Sequence, residues 1–122
     1  MIDLILLWFE AFFLTLVLEI PIIGVLQRRE EPSRARLVAL AFFANLSSHP
    51  LVWFVVPAVV HPPWAAFVTS ELLAWLLEAG FFRLVVLRLS WRKACLTSAI
   101  ANAVSALVGW LLFQYAGQWF AN

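Results

Sequence analysis

Four apolar runs divide the chain, over about 4–26, 37–60, 64–87 and 94–117, and the polar segments between them are about ten residues or shorter. Crossing a hydrocarbon core as a helix takes roughly 20 apolar residues, so each run predicts one transmembrane helix. Transmembrane strands would alternate apolar and polar residues with period two, which these runs do not do. The predicted fold is therefore all-α: an integral membrane four-helix bundle forming a single transmembrane domain over 1–122.

The polar positions inside the runs recur. Setting Asn45 against Asn102, an offset of 57, aligns Ala44 with Ala101, Ser48 with Ser105, Trp53 with Trp110 and Arg36 with Lys93. After a two-residue gap in the turn, Arg29 falls on Arg88 and Glu19 on Glu78, at an offset of 59. A helix breaker follows each Glu two positions later, Pro21 in one case and Gly80 in the other. The pattern predicts two parallel helical-hairpin repeats, over about 4–60 and 64–117, each an acidic helix, a basic turn and a returning helix that bears A-N-x-x-S. Copies that enter the membrane from the same side are related by an axis along the membrane normal, unlike inverted repeats.

Spacing assigns faces. In the fourth run Cys95, Ser98, Asn102, Ser105 and Gly109 follow one another at intervals of 3, 4, 3 and 4, which stacks them on one helix face. The second run repeats the stripe with Ala41, Asn45, Ser48 and Val52, and His49 stands at its edge. Small residues let helices approach closely in lipid, so both stripes are expected to face the bundle interior. Glu71 and Glu78, seven apart, share a face of the third helix, whereas Glu10 and Glu19, nine apart, lie on opposite sides of the first. Glu19 is taken to point inward, and Glu10, in the outer third of the helix, toward a neighbour, water or another subunit. At about 1.5 Å per residue, Glu19, Asn45, Glu78 and Asn102 all fall roughly 11 to 14 Å from the ends of their helices nearest the basic turns, in one layer. Ser48, His49 and Ser105 lie about a turn farther out, with Glu71 beyond them. Pro50 has no N–H for the Leu46 carbonyl, so a kink with open backbone oxygen is expected beside Asn45 and Ser48.

Composition closes off other classes. With 65% hydrophobic and 12% charged side chains, against the about 25% charged residues of a globular domain, no segment remains for a soluble domain. The first run is not read as a cleaved signal, because no Lys or Arg precedes it and Glu10 and Glu19 interrupt it. One cysteine, Cys95, leaves no intramolecular disulfide and no thiolate cluster within a chain. The eight basic residues form two groups: Arg28, Arg29, Arg34 and Arg36, then Arg83, Arg88, Arg92 and Lys93. By the positive-inside rule both basic turns are cytoplasmic, and both termini and the 60–65 connection are outside. The expected location is a bacterial inner (cytoplasmic) membrane. Topology accounts for the basic residues, so the lipid bilayer is an expected partner and nucleic acid is not.

The layer carries the candidate chemistry. An ionised acid at mid-membrane costs about 2.5 to 3.5 kcal/mol even on lenient insertion scales, so two in one layer call for compensation. No Lys or Arg of the chain stands at that depth, which leaves a proton, a cation or a basic group of a partner. Carboxylate, amide and hydroxyl groups suit protons or hard cations, and the identity of any cofactor or metal stays open beyond that. The candidate proton-, cation- or substrate-binding residues are Glu19, Asn45, Ser48, His49, Glu71, Glu78, Asn102 and Ser105. The expected function is proton- or cation-coupled transport, or an ion pathway, run by a homo-oligomer because four short helices make a thin wall. The alternative is an accessory or assembly subunit of a larger membrane complex, which Glu10 on the opposite face favours. No enzyme is expected: there is no second pocket histidine, no nucleophile with an adjacent base and no H-E-x-x-H. Ser48 and His49, neighbours on a helix, point about 100° apart and make no dyad.

Overall fold

The computed structural model describes residues 2–31, 33–86 and 89–119. Four helices account for nearly all of them: α1 (Ile2–Gln27), α2 (Arg34–Val59), α3 (Pro63–Val85) and α4 (Trp91–Trp119). All four are long and apolar enough to cross a membrane, and no strand occurs among the described residues. The helices form a square. α1 packs on α2 and α4, and α3 packs on the same two, so α2 and α4 face each other diagonally across the interior.

The polarity of the bundle is inverted relative to a soluble protein. Large apolar side chains such as Phe13, Val25, Leu76 and Leu84 are exposed on the outside, while Glu19, Asn45, Ser48, Glu78 and Ser98 are buried at mid-depth. Such a surface is stable against hydrocarbon, where backbone hydrogen bonds must close within each helix. One turn below the ring the interior is apolar, with the buried Gln27 a turn farther toward the basic end. Ile23 and Phe82, each four residues past an interior glutamate and so on the same helix face, have no exposed surface and pack with Leu40, Ala41, Ala44, Ala94 and Ala101.

Helix ends at the basic side are fixed by short side chains. Ser33 caps α2, its Oγ accepting from Arg36 N, and Ser90 Oγ accepts from Lys93 N at the start of α4. Such caps satisfy amides that the first helical turn leaves without partners. Arg36 pairs with Glu31 at 3.2 Å, and Lys93 reaches Glu30, which ties the start of α4 to the first basic turn. Arg28, Arg29, Arg34, Arg36, Arg92 and Lys93 are all exposed at this end; Arg88 lies outside the described residues.

The helix is disturbed just past Pro50. α2 remains α-helical through Pro50, and the disturbance comes a turn later, where Leu51–Val55 forms a π-helical turn. There Val56 N–H donates to the Leu51 carbonyl, five residues back. The next residue in that register, Pro57, has no N–H to give the Val52 carbonyl. Ser70 of α3 supplies the missing donor, its Oγ reaching Val52 O at 3.3 Å. Pro50 still withholds its donor from the Leu46 carbonyl, and the second proline adds a further gap at Val52, which Ser70 fills.

Candidate functional site

Two carboxylates organise the middle of the bundle. Asn45 Nδ2 of α2 donates to Glu19 Oε2 of α1 at 2.9 Å, and Asn102 Nδ2 of α4 donates to Glu78 Oε2 of α3 at 2.6 Å. The serines cross over: Ser48 Oγ of α2 bonds to Glu78 Oε1 at 2.9 Å, and Ser105 Oγ of α4 bonds to Glu19 Oε1 at 2.7 Å. The result is a closed ring through all four helices. Each glutamate is held by one asparagine and one serine from the two different neighbours it packs against.

The matching extends to the backbone. Asn45 Nδ2 also donates to Ala41 O at 3.1 Å, and Asn102 Nδ2 to Ser98 O at 3.0 Å. A carbonyl only accepts, so these bonds fix which end of each amide faces its glutamate. Ser48 Oγ lies 3.2 Å from Asn45 O, and Ser105 Oγ 3.1 Å from Asn102 O. Ser98, which stands where α2 has Ala41, adds a hydroxyl 3.4 Å from Glu78 Oε2 and donates to Trp75 O at 2.9 Å.

A hydroxyl has one proton, and each ring serine stands within reach of two acceptors. When Ser48 donates to Glu78, the Asn45 carbonyl loses that donor. When Ser48 donates to the carbonyl instead, its oxygen is free to accept from a protonated Glu78. The same two arrangements exist for Ser105, Asn102 and Glu19. Either protonation state of each carboxyl therefore finds a bonded arrangement without movement of heavy atoms, by rotation of one serine hydroxyl. No ion pair to Glu19 or Glu78 occurs among the described residues. Arg83 lies toward the basic turns with its guanidinium 6.0 Å from the centre of the Trp91 ring.

A cavity of about 180 Å³ lies over the ring on the side away from the basic turns. Its walls include Asn45, Ser48, His49, Glu71, Glu78, Asn102 and Ser105. Glu19 has no exposed surface and is reached through its bonds to Asn45 and Ser105. A second cavity of about 520 Å³ shares Val52, Trp53, Ser70 and Glu71 with the first and continues to His61 and Pro63 at the α2–α3 connection. The shared lining sets the second cavity beside the first, on the side of the ring away from the Ile23 and Phe82 packing.

No protein-family model, curated protein or solved structure matches this chain. The site's own geometry has to carry the reading.

Above the ring the two halves differ. His49 is enclosed by aromatics, Phe12 edge-on at 5.1 Å and Trp53 stacked at 6.1 Å between ring centres, and its Nε2 lies 3.5 Å from Thr15 Oγ1. Its Nδ1 is buried with no hydrogen-bond partner among the described residues. Glu71 is half-buried at the junction of the two cavities. Glu10 is exposed on the outside of α1. Among the described residues no three His, Cys, Asp or Glu side chains gather closely enough to hold a metal ion. Sequence reasoning named Ser98 as part of a stripe but not of the site, and it missed Ser70 and Thr15. For Ser98 the signal is its position one turn before Asn102; for Ser70 it is Pro57, whose missing donor requires a substitute nearby.

Proposed function

We propose that the chain is an integral membrane protein of two parallel helical-hairpin repeats, and that the Glu19–Glu78 ring is the proton- or cation-binding centre of a transport or ion pathway run by an oligomer. One observation above all supports this: two buried carboxylates, each bonded to an Asn and a Ser and to no basic group among the described residues, lie beneath a polar cavity that Glu78 itself lines. The two-position serine hydroxyls favour the proton among the small cations, since both protonation states of each acid find a bonded arrangement. The duplication is supported by bonds that match at offsets of 57 and 59, and by the Ser33 and Ser90 caps at an offset of 57. With the basic turns cytoplasmic, the cavity lies on the outer side of the ring and Glu71 is the first acid met on entry. The protein acts by binding and passing its cargo and forms no covalent intermediate.

Reconstitution tests this. Parent protein in liposomes carries a proton or cation flux driven by an imposed gradient, and the Glu19→Gln, Glu78→Gln double variant loses the flux but keeps its thermal unfolding temperature, because glutamine retains the size and most of the bonds. A second reading, an accessory or assembly subunit, draws on Glu10, which is exposed beside exposed Phe9 and Phe13 on the apolar outside of α1. In that case the parent carries no flux, and Glu10→Gln releases a partner that bears a basic residue in its own membrane segment. A double Glu→Gln variant that transports and assembles like the parent would leave the ring as packing alone.

A further inference from the structure

The outside of the first hairpin holds a groove of about 720 Å³ between the last turns of α1 and the first turns of α2, at the basic end. Pro21, Gly24, Val25 and Val38 line its apolar part, and Arg28, Arg29 and Arg34 stand around it. The acids of the adjoining turn are engaged elsewhere, Glu31 with Arg36 and Glu30 with Lys93. Among the described residues no acid pairs with the three groove arginines. Gly24 has open space before it: a Cβ built there meets nothing within 4 Å.

The corresponding place on the second hairpin is filled from within. At the offset of 59 that relates the glutamates, Gly24 corresponds to Arg83, and at the offset of 57, Arg34 corresponds to Trp91. Arg83 lies over Trp91, 6.0 Å from guanidinium carbon to ring centre, so a cation and an aromatic surface of the chain itself meet where the first hairpin offers three arginines and a gap. We infer that the first hairpin's groove binds one acidic phospholipid, its phosphate on Arg28, Arg29 and Arg34 and an acyl chain along Gly24, Val25 and Val38. Guanidinium groups match phosphate oxygens as a fork and shed water more readily than ammonium groups, which suits a headgroup held at the edge of hydrocarbon. The apolar channel leading away from them fits a ligand that is anionic at one end and hydrocarbon at the other, and free phosphate uses only half of it. This inference rests on the membrane-spanning reading above but is independent of what the glutamate ring does.

Native mass spectrometry of the detergent-solubilised full chain, titrated with phosphatidylglycerol or phosphatidylcholine, tests it. The parent retains one phosphatidylglycerol per chain, saturably, with a preference on the order of tenfold over phosphatidylcholine. The Arg28→Gln, Arg29→Gln, Arg34→Gln variant loses the preference. Gly24→Leu fills the groove with every arginine in place and also loses the bound lipid, whereas Arg92→Gln, outside the groove, keeps it. Melting temperatures identify any variant that fails to fold, and the two independent routes to loss keep the comparison decisive. A Gly24→Leu protein that retains the lipid, displacement by millimolar inorganic phosphate, or binding that rises without saturation would each overturn the site in favour of a diffuse positive surface. The Glu19→Gln, Glu78→Gln variant keeps its lipid, so failure of the transport reading and failure of this site give different results.

Discussion

Asn45 spends both hydrogens of one amide nitrogen, one on Glu19 at 2.9 Å and one on the Ala41 carbonyl at 3.1 Å. Replacing it by Ala takes the donor from one oxygen of the buried Glu19, at a cost of about 1 to 3 kcal/mol in unfolding measured in detergent. A double-mutant cycle of Asn45→Ala with Glu19→Gln is expected to return a coupling of about 0.5 to 3 kcal/mol, and the same Asn45→Ala combined with Glu10→Gln to be additive. The sequence identified both asparagines and both glutamates from their repeat, because polar residues in an apolar helix stand out. It did not say which serine bonds which acid. The crossover, Ser48 to Glu78 and Ser105 to Glu19, depends on which neighbour each helix face meets. The same scale shows where the matching stops: under the proposed correspondence His49 stands opposite Ala106, and Glu71 opposite Phe12. A ring with two matching halves therefore has an unequal entrance.

At the scale of the element, α2 is the helix whose course the sequence describes least well. Pro50 alone leaves it α-helical; Pro50 and Pro57 bracket the π-helical Leu51–Val55. Widening the helix by one residue per turn puts the gap left by Pro57 at the Val52 carbonyl, which Ser70 of α3 then satisfies. Ser70→Ala is expected to destabilise by about 1 kcal/mol, the usual net worth of a single hydrogen bond. Pro57→Ala restores an N–H in that register, so Ser70→Ala in a Pro57→Ala background is expected to cost less, and chemical unfolding of the four proteins measures the difference. The apolar closure below the ring makes a second prediction. Phe82 has no exposed surface, and Phe82→Ala is expected to cost about 3 to 5 kcal/mol through the cavity it leaves, visible as a lowered melting temperature.

The whole molecule is a square of helices with an apolar outside, a polar middle and a cavity on one side of that middle. With Cys95→Ala as background, a cysteine at 71 is expected to react with a small membrane-impermeant thiol reagent added outside, and a cysteine at 33 only after the membrane is breached. Reaction at 33 from outside would reverse the orientation. A cysteine placed at 82 is expected to stay unreactive from the outside in this state of the bundle, since Ile23, Phe82 and the alanines around them close the path. The proposed transport would require a second state in which that packing parts, and labelling at 82 under an imposed gradient is the measurement that detects it.

What the sequence determined by itself is one-dimensional in origin. Long apolar runs can satisfy their backbone hydrogen bonds in hydrocarbon only as helices, so the four spans follow from length and composition. Spacing within a helix fixes which residues share a face, so the inward stripe of α4 and the outward Glu10 were legible before any fold. Tertiary structure decided what joins one helix to another: the square that sets α2 across from α4, the exchange of serines between the two glutamates, the substitute donor from Ser70, and the side of the ring on which the cavity lies. Those depend on distances between residues 18 to 86 positions apart, which no local periodicity encodes and only the packing of complete helices brings to hydrogen-bonding range.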